Sequence, residues 1–327
     1  MKIRVLRAAD VRRFLPMDEC IDLMQRTMIA VSEGRTVLPL RSALVMPGER
    51  GMLGNMPGYL AEPECFGVKL VSLIPRNKPP QYSSHLGVVV LFEAEHGQPV
   101  ALLDAAEITA LRTAAASGLA TRLLARPEAG DLAIIGAGEQ ASSHLAAMLA
   151  VRRLRRVRLW ARDPEKAAAF ARSEGALHHV AIETCATVKQ AVAGADIICT
   201  VTKAREPILL GEWLTPGVHL NVVGSSIAGA AEIDTATVAR SRLFVDRRES
   251  TLNEGGEFLR AVRAGVITPA HILAEIGEVA NGSKIGRASP SDVTLYKSLG
   301  IAAQDLASAH YVLEKARAAD AGQVVDF

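Results

Sequence analysis

The segment LAIIGAGEQASSHLAAM, residues 132–148, limits the fold more than any other stretch of the chain. An apolar run leads into Gly136-Ala137-Gly138-Glu139-Gln140-Ala141, and a helix-forming stretch follows. That order is a buried strand, a glycine turn and a helix, in the G-x-G-x-x-A form. Gly136 permits the tight turn, Gly138 lets the backbone approach a pyrophosphate, and the small Ala141 lets helix pack on strand. The helix N-terminus offers N–H groups to the phosphates. A bare packing turn is the alternative. The clean strand before it, the helix after it and a further strand roughly 20 residues on favour a dinucleotide site.

Strand and helix patterns alternate after the turn. RVRLWAR, HHVAI, ADIICTVT, VHLNVVGSS and SRLFVDRR read as strands, and DPEKAAAFARSEG and TVKQAVAG as helices. Such alternation implies a parallel sheet covered on both faces, so this half is expected to be a Rossmann domain. The preceding residues have another texture. Residues 17–34 read as an amphipathic helix, with Ile21, Met24, Met28 and Val31 on one face and Gly34 as its stop. Between about 36 and 104, the short runs VKLVSLI, GVVVLFEA and PVALLDA suggest a largely antiparallel sheet, with EAEHGQPV as a hairpin. Residues 107–125 form a predicted helix, with Ile108, Leu111, Ala115, Leu119 and Leu123 on one face. The closing SDVTLYKSLGIAAQDLASAHYVLEKARAA reads as helix throughout.

At 327 residues the chain is long for one domain, and two are expected. Hydrophobic content of 49% and charged content of 22% suit a globular protein with a large core. A net charge of +2 gives no reason to expect nucleic acid or membrane as partner. The arginines of VRRLRRVRLW read as a solvated helix end before a strand. Cys20, Cys65, Cys185 and Cys199 are too dispersed for a metal motif, and reduced thiols in the cytoplasm are the simplest reading. MKIRVLRAADVRRFLP lacks the apolar stretch of a signal peptide. No run approaches the roughly 18 apolar residues of a membrane span.

Cofactor choice turns on the end of the second strand, where an acid would favour NAD and a base NADP. Ala161 stands in the acid's place, and Arg162 follows, suited to stack on adenine and pair with phosphate. Asp163, before Pro164, reads as a helix cap. NADP(H) is therefore favoured, with NAD(H) left open in case Arg162 is only a surface cation. In the first half, Lys69 is out of place in the apolar run FGVKLVSLI, because a buried lysine needs an anion. Arg112 lies early in the 107–125 helix, and Arg41 follows Pro39 in LPLRSALV. Each could equally be an ion-paired or snorkelling cation. His85, in YSSHLG, is either a satisfied loop histidine or a group that supplies a proton near neutral pH. The remaining histidines show no ligand spacing, and no metal is expected.

GVKLVS, SSHLGVVVLFEAEHGQPVALLDAAEITALRTAAASGLA, IIGAGEQA, GADIICTVT, HLNVVGSS with EID, and DVTLYKSLGIAAQDLASA together resemble the ornithine cyclodeaminase/mu-crystallin family over almost the whole length. The resemblance implies an α/β chain: a Rossmann NAD(P)-binding domain plus an α+β substrate and dimerisation domain built from the N-terminal part and the C-terminal helix. It implies boundaries at 1–117, completed by 296–327, and at 118–295, and a homodimer. Arg41, Lys69 and Arg112 match the cations that hold the carboxylate of an amino or imino acid. Where ornithine cyclodeaminases proper carry an aspartate, this chain has Ser226, which cannot act as a carboxylate base. Glu232 and Asp234 correspond to a structural turn and helix start.

The expected reaction is hydride transfer between nicotinamide and the α-carbon of a small 2-imino acid. The expected contributors are Lys69, Arg112 and Arg41 at the carboxylate, with Lys69 or His85 at the proton. Thr200, Thr202, Val223, Gly224, Ser225 and Ser298 would line the cofactor. The loop with Arg76, Asn77, Lys78 and Gln81 would help choose the substrate. The alternatives are cyclodeamination of a diamino acid with recycled NAD, and a protein that binds NADPH and a small ligand without turnover.

Overall fold

A computed structural model of the chain describes residues 1–77 and 85–326, the side chains of Glu49 and His85 excepted. The strands are β1 Lys2–Leu6, β2 Thr36–Val37, β3 Ser42–Val45, β4 Met52–Ala61, β5 Glu64–Leu73, β6 His85–Phe92, β7 Pro99–Asp104, β8 Asp131–Ile135, β9 Arg156–Trp160, β10 Ile182–Thr184, β11 Ile197–Thr200, β12 His219–Val222, β13 Arg242–Val245, β14 Ile272–Glu275, β15 Thr294–Lys297 and β16 Gln323–Asp326. The chain divides into two compact units, Met1–Arg112 with Ile301–Phe327, and Thr113–Gly300.

The first unit holds a mixed sheet in the order β16-β1-β7-β6-β5-β4-β2, with β3 paired to β4. Its pairs are antiparallel except β1 with β7, which are parallel. The β6–β7 hairpin is the one expected from EAEHGQPV. The Glu93 carboxylate closes it by accepting from the His96 and Gln98 N–H groups, and Gly97 takes the positive φ of 70°. The helix Ala302–Ala318 packs on β4, β5 and β6 and against the helix Met17–Ser32. It lies close to the strands because Gly58 leaves room: a Cβ there would sit 3.0 to 3.2 Å from Leu38, Leu306 and Ala302. This contact sets where the side chains of that helix meet β5.

The second unit holds an all-parallel sheet in the order β10-β9-β8-β11-β12-β15-β13-β14. The strand order reverses at β8, between β9 and β11. A doubly wound sheet binds its ligand at such a switch point, beyond the carboxyl ends of the strands. Strands β11, β12 and β15 are buried along their whole length. Two covered faces require continuous apolar runs rather than alternation.

Three details depart from the sequence reading. The closing segment is not all helix: Thr294–Lys297 is a central strand, Gly300 follows at φ 79°, and the helix begins at Ala302. Thr, Leu and Tyr suit a pleated, doubly covered position, and hydrogen bonding between β12 and β13 outweighs the local helical pattern. The HHVAI strand is displaced: the helix Pro164–His178 absorbs His178, His179 caps it in the left-handed conformation, and β10 starts at Ile182. The arginine run is not simply solvated. Arg152 donates to the carbonyls of Thr121, Ala125 and Arg126 at the end of the helix Ala105–Leu124, and Arg158 is buried, donating to Gln190 and Ala193 carbonyls. Among the described residues, no helix is long and apolar enough to cross a membrane.

Candidate functional site

The glycine turn links β8 to the helix Glu139–Val151 at the switch point. Gly136 has φ 125°, and a Cβ there would lie 2.8 Å from the Val201 carbonyl oxygen, so the fold itself demands glycine. Gly138 is different: a Cβ would meet nothing within 4 Å, and the residue is exposed. Gly138 is the N-cap of the helix and has no side chain with which to cap it. A helix start with an open backbone face at its N-cap suits a pyrophosphate. Ala137 and Gln140 are half-buried beside it, and Glu139 is exposed.

The other cofactor candidates gather at the carboxyl ends of neighbouring strands: Arg162 after β9, Thr200 and Thr202 at β11, Val223 to Ser225 after β12, and Ser298 after β15. A residue the sequence reading left as structural connects several of them. Glu232 is fully buried. One oxygen accepts from the Thr202 N–H at 2.6 Å and the Thr202 hydroxyl at 2.7 Å; the other accepts from the Thr200 hydroxyl at 2.8 Å and the Gly224 N–H at 2.7 Å. Burial pushes its pKa up, and the hydrogen bonds from Thr202 and Thr200 act against that. Gly224 has no space for a side chain, since a Cβ would lie 2.6 Å from the Thr202 nitrogen.

A second buried group holds Ser225. Its hydroxyl donates to Glu257 and accepts from Lys297 at 2.9 Å, and Lys297 pairs with Glu257 at 3.1 Å. The far end of β15 is fixed by Asp246, which accepts from the Leu299 and Gly300 N–H groups at 2.8 and 2.6 Å. Between these anchors, the Ser298 hydroxyl is buried with no hydrogen-bond partner among the described residues. A buried orphan hydroxyl calls for a ligand group. The open face at Gly138 and this orphan at Ser298 fit a dinucleotide carrying a polar ring substituent.

Arg162 is exposed, and Asp163 is committed elsewhere: it caps the helix Pro164–His178, accepting from the Glu165 and Lys166 N–H groups at 3.1 and 3.3 Å. In the first unit, Lys69 and Arg112 are 3% and 4% exposed and meet in one cluster. The anion they share is Asp305, which is fully buried. Its two oxygens lie 2.8 Å from Lys69 Nζ and 2.9 Å from Arg112 Nε. Arg112 Nη1 donates to Gln304 at 2.8 Å, and Lys69 Nζ to the Thr109 hydroxyl at 3.4 Å. Burial lowers the Lys69 pKa to about 8, opposed by Asp305 and assisted by Arg112 and Arg41. Arg41, half-buried before β3, is thus within electrostatic reach of the cluster.

His85 opens β6 opposite Leu73, but its side chain lies outside the described residues, as do Lys78 and Gln81. No group of histidine, cysteine and carboxylate side chains among the described residues suits a metal ion. The sequence reading missed Lys297, Glu257, Asp246 and Asp305, and undervalued Glu232. The rule that singled out Lys69, a charge inside an apolar run, also fits Lys297 in DVTLYKSLG, Asp305 in IAAQDLASA and Asp246 in RLFVD.

A parallel sheet with a dinucleotide turn at its switch point, joined to a unit with a buried cation cluster, defines a two-unit nucleotide-dependent protein. The chain belongs to the ornithine cyclodeaminase/mu-crystallin family, whose sequence model matches residues 1–320. It is 35% identical over 324 residues to a Delta(1)-pyrroline-2-carboxylate reductase of Bacillus cereus, covering 99% of each chain. It is 38% identical over 283 residues to the ketimine reductase mu-crystallin of Mus musculus, covering 86% of each. Among solved structures, the Thermococcus litoralis Delta(1)-pyrroline-2-carboxylate reductase in complex with NADH and L-proline superposes with a TM-score of 0.95 at 36% identity, covering 98% of this chain and 99% of that one.

Proposed function

We propose that this chain is an NAD(P)H-dependent imine reductase acting on a small 2-imino carboxylic acid, cyclic ketimines included, and that it works in reverse as an amino acid dehydrogenase. The observation that carries this reading is the buried pair Lys69 and Arg112, with Arg41 in electrostatic reach. Buried cations so placed suit a carboxylate, and a guanidinium can grip one by two hydrogen bonds. The relatives named as pyrroline-carboxylate and ketimine reductases support the same substrate class.

Residues Gly136 to Gln140 would hold the pyrophosphate of a nicotinamide cofactor, which would supply the hydride when bound. The protein's part is orientation and proton control. Lys69 and Arg112 hold the substrate carboxylate, with Arg41 alongside. The Lys69 ammonium, with its pKa near 8, can exchange a proton close to neutral pH; His85 is the second candidate for that task. Val223 to Ser225 would lie beside the ring, and the Ser298 hydroxyl would be free to meet its carboxamide. Thr200 and Thr202 hold this edge through Glu232. Ser226 replaces the carboxylate that cyclodeamination uses, which supports reduction over a lyase reaction. NADP(H) is the favoured cofactor, because Arg162 is exposed while Asp163 is tied to its helix.

The first unit would bind substrate and mediate a homodimer. Val37, Leu44, Val45 and Leu53, all exposed on β2, β3 and β4, suit a surface covered by a second copy. The four free cysteines suit the reducing cytoplasm. The test is direct. The purified protein is mixed with NADPH or NADH and a panel of cyclic ketimines, or of 2-oxo acids with ammonia or methylamine, and cofactor absorbance is followed. Cofactor oxidation with a member of the panel is expected, and Lys69→Ala is expected to abolish it while cofactor still binds. Ammonia release from ornithine or lysine with no net change in cofactor would replace this reading by the lyase one.

A further inference from the structure

We propose that Asp305 is the positioning counter-ion of the substrate clamp, one oxygen orienting Lys69 and the other Arg112, so that Nη2 of Arg112 is presented to a monocarboxylate. This rests on the reading of Lys69 and Arg112 as the clamp. Each link is geometric. Asp305 reaches the cations at 2.8 and 2.9 Å, and all three side chains are at most 5% exposed. Gln304 takes Arg112 Nη1, and Nη2 carries no hydrogen bond among the described residues. Asp305 and Gln304 therefore hold Nε and one N–H of Nη1 and leave both N–H groups of Nη2. Asp305 lies in the first turn of its helix, where the helix dipole stabilises a carboxylate.

The surroundings leave the task to Asp305. On the strands flanking Lys69, its partners are Met56 on β4 and Val89 on β6, which carry no charge. The helix Ala105–Leu124 contributes Arg112 and the neutral Thr109, and the segment before β3 contributes Arg41. Cys20, from the helix Met17–Ser32, is within electrostatic reach of Arg112, but burial raises its pKa to about 12 and keeps it neutral. Two cations with one anion leave the buried trio a single positive charge, which one carboxylate neutralises. Without the anion, Lys69 would face two arginines in a dry site and lose its proton more easily. Asp305 thus both aims the clamp and keeps it charged.

The experiment compares wild type, Asp305→Asn and Asp305→Glu by imino acid KM, cofactor affinity and the pH profile of kcat/KM. In Asp305→Asn, KM should rise about tenfold or more, with NAD(P)H affinity unchanged. The alkaline limb, set by Lys69, should move down by about one pH unit. Asp305→Glu keeps the charge and moves it by a methylene, so the limb should stay while KM rises. That variant decides the matter if Asp305→Asn does not fold. Wild-type KM and limb in Asp305→Asn, or an unchanged KM in Asp305→Glu, would overturn the proposal. So would a loss of cofactor affinity in step with KM, which marks a merely structural role. If wild type reduces no imino acid, the functional reading has failed. The Lys69 titration, read by NMR of labelled lysine in wild type and Asp305→Asn, then decides: a lower midpoint in the variant supports the counter-ion, and an unchanged one removes it.

Discussion

Arg162 and Asp163 are neighbours with opposite charges, and the proposed NADP preference turns on which of them would meet the ribose. Asp163 is held by two N–H groups of the helix it caps, leaving Arg162 exposed at the end of β9. Arg162→Ala should raise the KM for NADPH about tenfold while leaving that for NADH within about twofold, as expected for loss of one charge-assisted contact to phosphate. Steady-state kinetics with both cofactors measure it, and equal changes would remove the argument for NADP. The cap was legible in D-P-E, because aspartate followed by proline at the first helical position is a local signal. Lys69 was legible as an anomaly, but the anion it shares with Arg112 was not: Asp305 lies 193 residues beyond Arg112.

Single elements were read correctly where their pattern was local and long. The helices Met17–Ser32 and Ala105–Leu124 and the turn after β8 follow from spacing. β15 was misread because a doubly covered strand has no alternation to distinguish it from a helix. What joins elements was also hidden. Glu232 ties the ends of β11 and β12 through Thr200, Thr202 and Gly224. In Glu232→Gln, the amide nitrogen must face N–H or hydroxyl donors on one side, and a buried donor left unmatched costs about 1–3 kcal/mol. The variant should melt lower and bind NAD(P)H about tenfold more weakly, since the strand ends proposed to hold the cofactor lose their register. Thermal melting and cofactor titration test this. A melting loss with unchanged cofactor affinity would reduce Glu232 to a packing role.

Two buried histidines of the second unit contribute to the whole molecule's response to acid. Burial lowers the pKa of His144 to about 4 and of His219 to about 3. His144 lies between the Gln140 carbonyl and the Ser117 hydroxyl, and His219 between Thr294 and Asn221. The unfolded chain takes up protons near pH 6.5, before the folded one does, so acid favours unfolding. Their contribution to stability is complete above about pH 6.5 and is lost as pH falls toward 4 and then 3. The melting temperature should fall through that range, and less steeply in His144→Asn. The same slope in wild type and variant would assign the acid response to other groups.

From sequence alone came most of the elements, the glycine turn and the misfit of Lys69, because each is written in neighbouring residues or in the spacing along one element. Only the tertiary structure decided which buried charges face each other: Lys69 and Arg112 with Asp305, Lys297 with Glu257, and Glu232 with the ends of two strands. A charge in an apolar run announces that a partner must exist, since desolvation without one is too costly. Which residue answers is fixed by how helix packs on sheet, and no local pattern carries that.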